Sequence, residues 1–234
     1  MRDRPSANHD RALFWMLLCF GSLWGAGEAL VGGLLHLVLP PTYAGRVMLL
    51  FAGGLCTIAV RATGRSWAPL ALASVAAPLK LCSAAIYGMP VAVPMVMTPF
   101  FSILSQGAAF ALIARWLLAR SALTPARFAL FGSLAGGLQT LLFMILAVAA
   151  SRWLYPPPSV IESLGMAYPA WTLSPAGWLG LLGSLGPMAV LFGGVAALVA
   201  GLVPLGGVRR WRPLYLGAGT MLCLVLSLLS YWLV

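Results

Sequence analysis

The sequence predicts an all-α fold, a polytopic transmembrane helical bundle of about seven spans with the N-terminus inside and the C-terminus outside. Three observations predict it. The chain is 62% hydrophobic and 8% charged, with a mean hydropathy of +0.98, whereas a soluble domain carries roughly a quarter charged residues. Its apolar residues form continuous runs near the roughly 20 residues that cross a bilayer as helix, not the alternation of a barrel. Its basic residues are dense in every second connection and sparse in the others. Lipid offers the backbone no hydrogen bonds, so such runs must satisfy themselves as helices.

The runs place spans near 12–38, 43–62, 67–87, 94–115, 125–150, 176–203 and 213–233, in one transmembrane domain covering 1–234. Residues 1–11 form a cytoplasmic segment and 151–174 an extracytoplasmic loop. The polar start resembles a signal peptide, but Ala12 to Leu39 exceeds an h-region of about 7–15 residues, so the first span is read as uncleaved. Thr124-Pro125 and Ser174-Pro175 each set a capping residue before a proline at the first helical position.

Orientation follows from the bases. With the N-terminus inside, the inner segments hold Arg2, Arg4, Arg11, Arg61, Arg65, Arg115, Arg120, Arg127, Arg209, Arg210 and Arg212. The outer segments hold Arg46 and Arg152, and Lys80 lies within a span. Eleven against two is a positive-inside pattern. A six-span count requires that 67–99 not form a regular pair of helices. The net charge of +10 is scattered between apolar runs, which excludes a nucleic-acid footprint. Cys19, Cys56, Cys82 and Cys223 each sit inside an apolar run with no C-x-x-C pair, and read as packing residues.

Two segments are irregular. Pro90, Pro94 and Pro99 recur through the uncharged stretch Tyr87–Phe101, which is either a short turn or backbone lining a cavity. The outer loop Ser151–Ser174 carries Trp153, Tyr155, Pro156, Pro157, Pro158, Tyr168 and Trp171, the composition of an interfacial belt or of a lid over an outward-facing site.

Charges inside a span cost about 2.5–3.5 kcal/mol on insertion scales and need a partner or a purpose. Glu28, His36 and Lys80 qualify. At about 100° per residue, Gly21, Gly25, Glu28, Gly32 and His36 share one helix face bordered by Trp24. Such glycine spacing lets a neighbouring helix approach closely. On the third span Ala73, Ala76, Ala77, Ser83, Ala84 and Tyr87 lie on or near the side of Lys80. Glu28 and Lys80 run on helices of the same direction at comparable depth, so a buried ion pair is expected, either fixing register or facing a cavity. His36 lies nearer the outer interface. Gln106, Gln139, Thr140, Ser102 and Ser105 offer hydrogen bonds from other spans.

The acids are Asp3, Asp10, Glu28 and Glu162 and the histidines His9 and His36. Paired catalytic carboxylates, H-E-x-x-H and a Walker A loop are therefore missing, and no metal or cofactor is expected.

The run Gly21-Ser22-Leu23-Trp24-Gly25-Ala26-Gly27-Glu28, then Gly32-Gly33-Leu34-Leu35-His36, and the later Ala77-Pro78-Leu79-Lys80-Leu81-Cys82-Ser83 carry a resemblance over the first half of the chain. They resemble small bacterial membrane proteins akin to the substrate-binding S components of energy-coupling factor transporters. The resemblance implies a multi-pass protein of the bacterial cytoplasmic (inner) membrane that binds a micronutrient from outside. It also implies docking through small-residue faces, for which Gly21/Gly25 and Ala73/Ala77 have the spacing, onto a coupling membrane subunit with ATPases. The chain departs from that pattern in its seven spans against the usual six, and in lacking the N-terminal histidine of the nickel and cobalt members.

Three functions are consistent with these residues. The leading one is a transport component holding a small polar solute at Glu28, Lys80, His36, Trp24, Gln106 and Gln139. The alternative is a non-transporting scaffold or accessory subunit whose faces pack against partner helices. The third is an intramembrane enzyme centred on Glu28.

Overall fold

The computed structural model describes residues 7–38, 41–86, 90–118, 124–165 and 168–203, and most side chains within them. The side chains of residues 29–38 and 82–86, His36 and Cys82 included, and that of Trp171 lie outside the description. The described chain is all helical: α1 (Ala7–Val38), α2 (Pro41–Thr63), α3 (Ala68–Ile86), α4 (Pro94–Leu118), α5 (Pro125–Trp153), α6 (Pro158–Ser163) and α7 (Pro175–Leu202), with a 3-10 turn at Ala170–Leu173. Three helical stretches are long and apolar enough to cross a membrane, Val96–Leu117, Pro125–Trp153 and Pro175–Leu202, and Val47–Thr63 and Ala68–Leu81 are shorter apolar helices.

Local chemistry sets the boundaries. Pro41, Pro94, Pro125, Pro158 and Pro175 each open a helix, where the missing N–H has no intrahelical partner to lose. Ser174 caps α7 by accepting from the Gly177 amide at 3.1 Å. Thr124 differs from the expectation: its side chain makes no cap bond, and its carbonyl takes the Arg127 and Phe128 amides instead. Helix α1 begins at Ala7, not 12, because nothing between Ala7 and Arg11 breaks a helix that gains one bond per added residue. Residues 90–101 form the turn reading of the proline stretch: Val93 bonds back to Pro90, and Pro94 starts α4. The span predicted at 213–233 lies outside the described residues.

Neighbouring helices alternate in direction, and their contacts show it. Gly21 and Gly25 of α1 meet Val75 and Leu79 of α3 in the same order, so these two run parallel. Phe128, Gly132 and Gly136 of α5 meet Gly201, Gly193 and Ala189 of α7 in reverse order. Helix α2 packs against α1, α3, α4, α5 and α7 and is the hub of the bundle. Its Ala52, Cys56 and Ala59 are fully buried, in one core with Trp24, Leu72, Phe110 and Ala197. Phe110 of α4 meets Phe131 of α5 edge to face at 5.3 Å.

The α5–α7 contact is the tightest. A Cβ on Gly132 would meet the Gly193 carbonyl oxygen, and one on Gly136 the Ala189 carbonyl oxygen. Backbone therefore lies on backbone, the arrangement that the spacings Gly132-x-x-x-Gly136 and Ala189-x-x-x-Gly193-x-x-x-Ala197 allow. Arg61 ties α2 to the same pair. Its guanidinium donates to the Ala200 carbonyl and, at 2.8 Å, to that of Val203, and stands over the Phe128 ring at 5.4 Å. A cation at a helix C-terminus satisfies carbonyls that have no helical donor and complements the dipole.

The connecting segment 151–174 contains α6 and the 3-10 turn. Tyr155 and Ile161 are buried with Met97 and Ala150 against Phe100, Phe101 and Tyr168. The Tyr155 and Thr98 hydroxyls lie 3.3 Å apart, and Tyr168 donates to the Ser151 carbonyl at 3.2 Å. Burial pushes the Tyr155 phenol above its ordinary range, against the Thr98 hydrogen bond, which pulls it down. Trp153 points outward and is 83% exposed.

Gly136→Ala drives a methyl into the Ala189 backbone and is expected to destabilise the bundle by about 1–3 kcal/mol. Gly180→Ala, where nothing lies within 4 Å, should be neutral or stabilising by about 0.5–1 kcal/mol. Thermal unfolding of both purified variants checks the contrast.

Candidate functional site

Glu28 and Lys80 come together where α1 packs on α3. Glycine decides this. A Cβ at Gly25 would meet Leu79, and one at Gly21 would meet Val75 and the Leu72 carbonyl, so only glycine lets the two helices come this close. Glu28 follows Gly25 by one turn and Lys80 follows Leu79 directly, so the approach carries both residues to one place. The Lys80 ammonium donates to the Glu28 main-chain carbonyl at 3.2 Å. The Glu28 carboxylate is also near enough for the two charges to interact. Both side chains are half-buried.

Trp24 supplies a third group. It is fully buried, and its indole N–H lies 3.4 Å from a Glu28 carboxylate oxygen, one helical turn on. That is a long hydrogen bond. The arrangement offers an ammonium donor, a carboxylate acceptor and an aromatic wall within one interhelical contact. His36 and Gly32 lie further along α1, with side-chain positions outside the described residues.

The remaining expected groups go elsewhere. Gln106 is buried on α4 and Gln139 on α5, and α1 packs on α2 and α3, so the structure does not join these amides to Glu28. Ser105 and Thr140 turn their hydroxyls back to the carbonyls of Ser102 and Gly136. Ala73 and Ala77 are fully buried, with Ala73 against Gly107 of α4. The small-residue faces expected to dock on a partner therefore close contacts within this chain. Cys19 and Cys56 are buried and not disulfide-bonded, and among the described residues no three of His, Cys, Asp and Glu gather as a metal site would require.

Gln106, expected from the sequence as a hydrogen-bonding group, and Ser22, for which no such role was expected, are both buried. Among the described residues Gln106 Oε1 and Ser22 Oγ have no hydrogen-bond partner, whereas the buried hydroxyls of Thr57, Ser105, Thr140 and Thr172 all donate to carbonyls. Spacing cannot reveal such an orphan, because it depends on rotamer and neighbour. An unmet buried group costs about 1–3 kcal/mol. Gln106→Met, close in shape, is therefore expected to hold or raise thermal stability; a drop of about 2 kcal/mol or more on unfolding means that the amide is bonded.

No family model matches the chain, and neither a curated protein nor a solved structure is significantly similar to it.

Proposed function

We propose that the chain is a multi-pass transport component, S-component-like, that binds a small polar solute from the outer side between α1 and α3. The observation that carries the reading is the convergence of Lys80, Glu28 and Trp24 at a glycine-permitted crossing. Lys80 suits an acidic or carbonyl group of the solute, Glu28 a hydroxyl or amine, and Trp24 an apolar or cationic face. An ion pair serving register alone would be replaceable by apolar residues at little cost.

The topology adopted is seven spans, N-in and C-out, in a bacterial cytoplasmic membrane. Its support is the alternation of helix directions together with the arginines. Arg11, Arg61, Arg65, Arg115 and Arg127 stand at helix ends on one side, and Arg152 at the α5 end on the other. By the positive-inside rule the first group faces the cytoplasm, and Glu28 and Lys80 then lie toward the outer half. A coupling subunit, where one is engaged, docks on a face other than Gly21/Gly25 or Ala73/Ala77, since both are occupied by α3 and α4.

Glu28→Gln and Lys80→Met test the reading. Each variant is expected to insert and elute as the parent does, and to lose at least about 10-fold of the small-molecule ligand that co-purifies in mild detergent, read by mass spectrometry. Parental ligand content in both variants would overturn it.

A further inference from the structure

Gln106 is the buried polar side chain that the packing of α4 leaves without a purpose. It is 2% exposed, and its Oε1 atom has no partner among the described residues. Side chains on a helix lean toward its N-terminus and lie over the residues three and four positions earlier. The Gln106 amide therefore stands over the turn of α4 that carries Ser102 and Ile103. Ile103 is apolar, and the Ser102 carbonyl already accepts the Ser105 hydroxyl at 2.8 Å. The polar side chain at that turn is the Ser102 hydroxyl.

Thr98, Ser102 and Gln106 recur every four residues, so each is the neighbour of the next along one side of α4. At the start of this file the Tyr155 hydroxyl of the segment after α5 lies 3.3 Å from that of Thr98. Beyond its inner end Phe110, one turn past Gln106, is fully buried and meets Phe131 edge to face at 5.3 Å. Thr98 and Ser102 are half-buried and Gln106 is buried, so the file closes progressively from Thr98 inward. A carboxamide oxygen only accepts, and the Ser102 hydroxyl does not reach it. Two polar groups on adjacent turns, separated by more than one hydrogen bond, are the setting of a bridging water.

We propose that an ordered water bridges Gln106 Oε1 and the Ser102 hydroxyl, at the inner end of a polar file that begins at Tyr155 and Thr98. The water donates to the carboxamide oxygen and accepts from the serine, which meets both groups. Lipid offers no donor to replace it, and the Phe110–Phe131 contact bars the inner side, so the water enters past Thr98. Its hydrogen bonds are largely offset by the entropy of holding it, in keeping with the unchanged stability expected for Gln106→Met. The inference is independent of the solute site at Glu28 and Lys80, so either can fail alone.

The test is X-ray radiolysis of the full chain in lipid nanodiscs and oxygen-isotope-labelled water, read residue by residue by mass spectrometry. A buried side chain takes up the isotope only where water sits beside it. Ile103, buried next to Ser102, is expected to be labelled, and the equally buried Leu72 of α3 is not. Gln106→Met and Ser102→Ala should each lose the Ile103 label down to the level of Leu72. Ser22→Ala, at the other unpartnered buried atom, should keep it. An unlabelled Ile103 in the parent overturns the proposal, as does equal labelling of Ile103 and Leu72. Label retained in both Gln106→Met and Ser102→Ala, or lost equally in Ser22→Ala, also overturns it. If the variants do not fold, a density map of the parent that resolves ordered water decides: a protein donor on Gln106 Oε1, or no water between it and Ser102, means that the proposal fails.

Discussion

The close approach of helix backbones, allowed where side chains shrink to hydrogen or methyl, is the constraint on which the rest of the structure depends. In lipid, apolar surface gains nothing by leaving one apolar neighbour for another, so packing distance decides which helices pair. Between α5 and α7 the approach is backbone on backbone at Gly132, Gly136 and Gly193. Between α1 and α3 it is Gly21 and Gly25 against Val75 and Leu79. The second contact has a chemical consequence, because it delivers Lys80 to the Glu28 carbonyl. Bulkier residues at 21 and 25 would part the helices and separate the two half-buried charges.

Helix α2 makes these two glycine contacts parts of one body. It touches α1, α3, α4, α5 and α7, and its small residues Ala52, Cys56 and Ala59 leave room for all of them. Arg61 closes the far end by donating to carbonyls of α7 and stacking over Phe128 of α5. Arg65, four residues later, stacks on the Trp67 ring.

Much of this was legible in the sequence, and the parts that were not have physical reasons. Continuous apolar runs and opening prolines locate α1 to α5 and α7, because both features act through local backbone chemistry. The meeting of Glu28 with Lys80 follows from two helices of equal direction, but the bond from the ammonium to the Glu28 main-chain carbonyl does not, since it depends on lysine rotamer and helix tilt. The Gly132-x-x-x-Gly136 spacing is plain in the sequence, yet only the antiparallel partner Ala189-x-x-x-Gly193 gives it meaning. The partners of Arg61 lie 139 and 142 residues away, beyond any local pattern. The aromatic segment after α5 reads as interfacial by composition, while its burial of Tyr155 and Ile161 against α4 is a tertiary fact.

The account turns on whether Glu28 and Lys80 act as one unit at the α1–α3 crossing. A double-mutant cycle of Glu28→Gln, Lys80→Met and the pair, read by reversible unfolding in one detergent, measures this directly. The account predicts a coupling energy of about 0.5–3 kcal/mol, the range for residues in contact. Strict additivity of the two substitutions would contradict it.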